Sequence, residues 1–196
     1  VKAIVSAAKD YGFKVAAHGH GPEGIKRAIR GGVNSIEHGT FMDDEGIALM
    51  KQYGTWLVPT IIAGKSTADS ARIPGYFSEL VTPKALATGP KIQATFAKAY
   101  KAGVKIAFGT DAGVFSHGKN WLEFVYMTEA GMPIMEALKS ATASAAELLG
   151  ASDTLGSIEK GKFADIIAVE GDPLTDVQAM GKVRFVMKSG KVFRSE

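Results

Sequence analysis

One pattern recurs along this chain and limits what it can fold into: a short apolar run, a polar residue able to bind a metal or ligand, then helical spacing closed by glycine. Lys14-Val15-Ala16-Ala17-His18 is the first such run. After Gly19-His20-Gly21, Pro22 sits at a first helical turn, and Ile25, Ala28 and Ile29 share one helical face before Gly31-Gly32. Val33 to His38 reads as a second strand, Asp43 or Asp44 as the cap of a helix carrying Ile47, Leu49 and Met50, and Gly54 as its stop. Thr55 to Thr60 is a third apolar run, with Pro59 where a hydrogen-bonded ladder would end. Ahead of them, Val1 to Phe13 places Ala3, Ile4, Ala7 and Ala8 at helical spacing and stops at Tyr11-Gly12. Strands alternating with helices of this length predict βα units around a parallel sheet, an α/β fold.

From Ile61 to Gly89 the regularity weakens. Pro74, Pro83 and scattered Ser and Thr predict a long loop with helical pieces, a kind of segment that often covers a site. Helices are expected from about Pro90 to Ala102, from Trp121 to Ala130 and from Pro133 to Leu149, with a strand at Lys105 to Thr110 running into Asp111-Ala112-Gly113. Past residue 150 the pattern changes: Leu155 to Val169 and Val183 to Phe193 look like hairpin material, the second turning at Ser189-Gly190. The expected division is a βα body, residues 1–150, and a small β module, residues 151–196.

Composition narrows the function classes. Apolar residues at 46% and charged residues at 22% are ordinary globular values, which excludes disorder as the general state. No apolar run approaches the ~18 residues of a spanning helix, and VKAIVSAAKDYGF is charged and amphipathic rather than signal-like. A soluble chain without a membrane partner is expected, its compartment, cytoplasmic or periplasmic, left open. The net charge of +3 is spread along the chain. Lys182, Arg184, Lys188, Lys191 and Arg194 alternate with Val183, Phe185, Met187 and Val192 as a solvated strand face would, so no nucleic-acid partner is expected. Cysteine is absent, so any metal must be held by His, Asp, Glu or a modified side chain. The first residue is Val rather than Met, which suggests a piece of a longer chain.

The first, second and last of the expected strands in the body end in His18, His38 and Asp111. In parallel βα architectures the carboxyl ends of strands deliver their last side chains to one mouth, where ligands bind. Two imidazoles and a carboxylate make a normal shell for zinc or manganese with a position left for water. Each residue alone has a plainer reading: a hydrogen-bonded structural histidine, or for Asp111 a turn or cap residue. Equivalent places in successive βα units favour the metal. His20 follows His18 by two and shares its side if the strand continues, although Gly19 and Gly21 suggest a turn; substrate contact comes first for it and metal second. His117, in the loop after Asp111, reads either as a substrate contact or as an exposed loop residue. Gly39-Thr40 and Gly109-Thr110 bracket the strand ends with small residues that permit close backbone approach.

VAAHGHGPEGIKRAIRGGVNSIEHGT, then IAFGTDAG, SATASAAELLG, LGSIEKGKFADIIAVEGDPL and the closing MKSGKVF resemble the carboxyl-terminal half of the metal-dependent amidohydrolase superfamily. Within it they are most similar to the Xaa-Pro dipeptidase and imidazolonepropionase-like branch. The resemblance implies a (β/α)8 TIM barrel, of which this chain holds strands 5 to 8, followed by part of a small β-sandwich. It implies a metalloenzyme, a hydrolase that cleaves a C–N bond, as in a dipeptide such as Xaa-Pro, with a metal-activated water. His18 would match the fifth-strand ligand and His38 the sixth-strand ligand. Asp111 would match the eighth-strand aspartate, which ligates metal and handles the proton, with His20 and His117 towards the substrate. The metal-binding centre is binuclear in the family, with zinc expected first and manganese, cobalt or iron as alternatives. The family's His-x-His strand and its bridging fourth-strand lysine have no counterpart in this sequence. The expected partners are a small molecule or dipeptide and, in a homo-oligomer, further copies. The alternative is a non-catalytic half barrel that binds metal weakly or assembles with a complementary chain. A phosphate-binding barrel is disfavoured, since GHGPEG lacks the remainder of a P-loop or dinucleotide fingerprint.

Overall fold

The computed structural model describes all residues, 1–196. Helix α1 (Lys2–Asp10) leads into β1 (Ala16–Gly19), α2 (Pro22–Arg30), β2 (Ser35–His38), α3 (Asp44–Tyr53) and β3 (Trp56–Val58). The three strands form one parallel sheet in the order β1-β2-β3, with Gly19 opposite His38 and Ser35 opposite Trp56. The expected local signals act as written. Asp43 caps α3 by accepting from the Gly46 amide at 2.8 Å, and Gly54 ends that helix in the left-handed region.

The fourth expected strand, Lys105 to Thr110, is present only as one parallel bridge between Leu57 and Ile106. Leu57 donates to the Lys105 carbonyl and accepts from the Ala107 amide, and the segment then leaves the ladder. It lies at the sheet's open edge, with no strand of this chain on its other side to extend the pairing. Gly109 runs so close to β3 that a Cβ there would overlap the Val58 side chain.

The stretch expected to be a long loop with helical pieces has more helix than that, the non-helical part being residues 71–81. Helix α4 spans Ile61–Ser70 and α5 spans Thr82–Lys101, with Pro83 in its first turn and Pro90 inside it. An internal proline ordinarily costs a helix about 3 kcal/mol. Packing of α5 against α4 offsets that cost: Gly89 comes so near Ala68 and the Gly64 carbonyl that any side chain would collide. The single helix expected at Pro133 to Leu149 is instead α7 (Ile134–Ser140) and α8 (Ala143–Leu149), parted at Thr142. Two hydrogen bonds explain the break. The Ser140 carbonyl accepts from the Phe108 amide at 3.0 Å, and the Thr142 hydroxyl donates back to the Leu138 carbonyl at 2.8 Å. Between α5 and α7 lies α6 (Leu122–Glu129).

A second sheet, antiparallel, contains β4 (Ile166–Val169), β5 (Val183–Lys188) and β6 (Lys191–Ser195). Residues 155–165, expected to form half of a hairpin, are turns and irregular chain. The β5–β6 turn at Ser189-Gly190 has φ of 50° and 78°, the pair of positive angles that matches strand twist in a two-residue hairpin. The tail is not free of the body: a 3-10 turn at Val177–Gly181 inserts Met180 into the main apolar cluster. That cluster unites 21 buried residues, among them Ile25 and Ile29 of α2, Ile36 of β2, Met50 of α3, Leu57 of β3, Phe96 of α5 and Met127 of α6. It packs the helices onto the sheet and leaves the carboxyl ends of the strands for the site. No helix is long and apolar enough to cross a membrane.

Candidate metal centre

Three imidazoles meet where β1 and β2 end. His18 lies in β1, His20 just beyond it, and His38 is the last residue of β2. Their candidate ligand nitrogens all lie within 4.8 Å of one another. Parallel pairing produces this meeting, because the register sets the end of β1 beside the end of β2. His38 then takes φ of 72°, turning its ring over the sheet's mouth, and the following Gly39 also has positive φ. A Cβ on Gly39 would press on Leu57, so the turn after β2 requires glycine for both conformation and space.

Hydroxyl groups fix the rings from behind. The Thr60 Oγ1 lies 2.6 Å from His38 Nδ1, and the Thr40 Oγ1 lies 2.7 Å from His20 Nδ1. On the other side, His38 Nε2 is 3.0 Å from His18 Nδ1. Burial first, then the neighbouring His20 and His18, push the His38 imidazole down to about 4. It is therefore neutral near pH 7, with a lone pair to give to a cation. His20 is lowered for the same two kinds of reason, burial and then His18. The His38 and His20 imidazoles, each held by a threonine hydroxyl and crowded against the His18 ring, form with it a donor set that a divalent metal fits.

Asp111, with φ of 54°, follows the edge segment and joins the three histidines in lining one cavity of about 300 Å³. Its charge acts on His38, raising it, and on Glu37, whose half-buried carboxyl is raised by burial above all. Thr40, Thr67, Lys84 and Val114 contribute further to the lining. The structure thus brings His18, His20, His38 and Asp111 together. It leaves His117 apart: that residue is exposed and outside the cavity lining. The groove between α8 and β4, about 490 Å³, is mainly apolar and has one ionisable wall residue, Asp165, which pairs with Lys188.

Sequence reading overlooked two contributors. Thr60 was visible only as a strand end, and its role depends on His38 lying opposite it. Glu123 gave no signal at all within an ordinary helical stretch, yet it is completely buried behind this mouth.

The amidohydrolase family model matches residues 1–193. The chain belongs to the amidohydrolase family. A crystal structure of a Xaa-Pro dipeptidase with methionine bound in its active site is 57% identical, with a TM-score of 0.96 over 99% of this chain and 48% of that one. Ochratoxinase of Aspergillus niger is 35% identical over 99% of this chain and 41% of its own length. A probable imidazolonepropionase of Nematostella vectensis is 30% identical over 100% of this chain and 43% of its own. This amidohydrolase chain therefore spans under half the length of these relatives. Its α/β fold is that of amidohydrolase structures, hydrolysis is the activity at family level, and the family is generally metal-dependent.

Proposed function

We propose that this chain supplies the carboxyl-terminal half of a (β/α)8 barrel, residues 1–150, and part of a β-sandwich, residues 151–196. The whole is a metal-dependent hydrolase acting on the C–N bond of a dipeptide such as Xaa-Pro. The observation that carries the reading is the convergence of His18, His20, His38 and Asp111 on one cavity at the strand ends. Likeness to a Xaa-Pro dipeptidase supports the substrate class.

In this reading His18, His38 and Asp111 are metal ligands, with His20 towards the substrate, while His117, outside the cavity lining, takes no part in it. A divalent ion, zinc first, would supply positive charge that acidifies the attacking water towards neutral pKa. The chain's residues do the rest. Thr60 and Thr40 hold the His38 and His20 rings in the cavity, so that no reorientation is needed on binding. The Asp111 carboxylate takes the proton of the attacking water and hands it to the departing amine, the two transfers a C–N cleavage requires. Ala63, Gly64, Ala85 and Ile92 form an apolar wall that limits water around the reacting bond.

The test is expression of the polypeptide as encoded in full, with zinc or manganese, against a panel of Xaa-Pro dipeptides. Bound metal and dipeptide cleavage, both lost in His18→Ala and His38→Ala, are expected. A protein that neither retains metal nor cleaves any dipeptide overturns the proposal.

A further inference from the structure

Helix α4 begins directly after β3 and is missing its own cap. No side chain caps it locally and no acidic residue lies in its first turn. Thr60 occupies the position where a threonine would normally turn its hydroxyl onto the amides ahead. Here that hydroxyl is committed elsewhere, 2.6 Å from His38 Nδ1, and Thr60 adopts φ of 49°, a left-handed conformation that a β-branched residue resists.

The missing cap comes from another helix. Glu123, in the first turn of α6 and 0% exposed, accepts from the Ile61 amide at 2.8 Å with Oε1 and from the Ile62 amide at 2.7 Å with Oε2. Both orphan donors are thereby satisfied from 62 and 61 residues away in sequence. A buried carboxyl group is costly to place, and one whose two oxygens both serve the turn after Thr60 has a defined task. With Glu123 in place, Thr60 need not cap its own helix and its hydroxyl is free for the histidine.

The geometry points to Glu123 as a positioning residue for His38, acting through the first turn of α4 and the Thr60 hydroxyl. It rests on the reading of His38 as a metal ligand. Without Glu123, two buried amides lose their acceptor, Thr60 turns inward to serve them, and the His38 ring loses the contact that aims it.

The experiment uses the polypeptide as encoded, with Co(II) as the probe, and compares wild type, His38→Ala, Glu123→Gln, Thr60→Val and the double variant Glu123→Gln/Thr60→Val. Glutamine keeps the volume but replaces one of the two accepting oxygens by an NH2 group, which cannot accept from a backbone amide. Chelator competition on protein verified as folded is expected to show Co(II) affinity weakened about tenfold by Glu123→Gln and by Thr60→Val. The visible ligand-field spectrum should change in both, and the double variant should be no worse than Thr60→Val alone, because one chain of contacts is being cut twice. A Glu123→Gln protein with lowered melting temperature but unchanged Co(II) affinity and spectrum overturns the inference, as do losses that multiply in the double variant. If Glu123→Gln does not fold, Glu123→Asp, which draws the carboxylate back by one methylene, carries the same readouts. Failure of wild type to bind Co(II), or its retention by His38→Ala, strikes the metal-ligand reading instead. In that event the crystal structure of the glutamine variant decides: a persisting Thr60–His38 contact with Thr60 still left-handed overturns the positioning role, and an opened contact upholds it.

Discussion

The mouth of the parallel sheet and the antiparallel module hold their conformations by opposite means. Of the four non-glycine residues with positive φ, three, His38, Thr60 and Asp111, stand at the ends of consecutive strand segments and line or support one cavity. None is at a local optimum, and each is held by what surrounds it. The fourth, Ser189, lies in a hairpin turn that requires positive φ. The module's charges pair on the surface, Arg184 with Glu170 and Lys188 with Asp165, while Ile158, Phe163, Ile167 and Phe193 stay exposed. The body spends its packing on holding awkward geometry at a site. The module keeps its one non-glycine positive φ where a hairpin turn calls for it and leaves apolar surface uncovered.

The strongest way to sharpen this contrast is at the mouth. Asp111→Asn in the polypeptide as encoded is expected to lower dipeptide turnover by on the order of 10²–10⁴-fold, the usual weight of a general acid–base group. Steady-state kinetics against wild type checks it, and turnover within a fewfold of wild type would remove Asp111 from the chemistry. Beneath the mouth, Phe96 is 1% exposed in the main cluster. Phe96→Ala should cost about 3–5 kcal/mol of unfolding free energy by denaturant titration, and a loss near zero would mean the body is not one cooperative core.

The pH dependence of stability probes the buried support. Burial raises the Glu123 carboxyl from 4.5 to about 8 against the pull of its two amide bonds. Because the folded-state value is the higher one, the folded chain holds a proton that the unfolded chain has released. The stability this contributes is full below about 4.5 and is lost as pH rises through about 8. Thermal melts at pH 5 and pH 9 should show this decline in wild type and a flatter profile in Glu123→Gln; parallel profiles would contradict it. A smaller effect is expected from Asp43→Ala, about 1 kcal/mol through loss of the α3 cap, read as a shift in denaturation midpoint. Smallest of all, Arg184→Ala in the module should leave the denaturation midpoint almost unchanged, since exposed ion pairs contribute little. A large effect there would erase the distinction between the two regions.

How much could be read in advance follows the same division. Glycine stops, the Asp43 cap, the Ser189-Gly190 turn and the strand-end histidines were legible because each depends on residues within a few positions of one another. The 61–89 stretch was read as a long loop with only pieces of helix because its prolines argue locally against helix, whereas α4 and α5 are stabilised by pressing Gly64, Ala68 and Gly89 together. The Pro133 to Leu149 stretch was read as one helix because nothing nearby shows that the Ser140 carbonyl is claimed by Phe108. His20 was placed with the substrate first, and the fold sets its ring 4.9 Å from that of His38, against 4.6 Å from His18 to either.

By itself the sequence determined the order of βα units and which residues stand at the strand ends, since local hydrophobic period and turn chemistry suffice for that. It also carried the family. Only the tertiary structure decided that three imidazoles share one mouth, that the Thr60 hydroxyl meets His38, and that a carboxyl group from α6 caps α4. Those arrangements depend on strand register and on helices meeting across about sixty residues of chain, and no local spacing records which buried amide a distant side chain will satisfy.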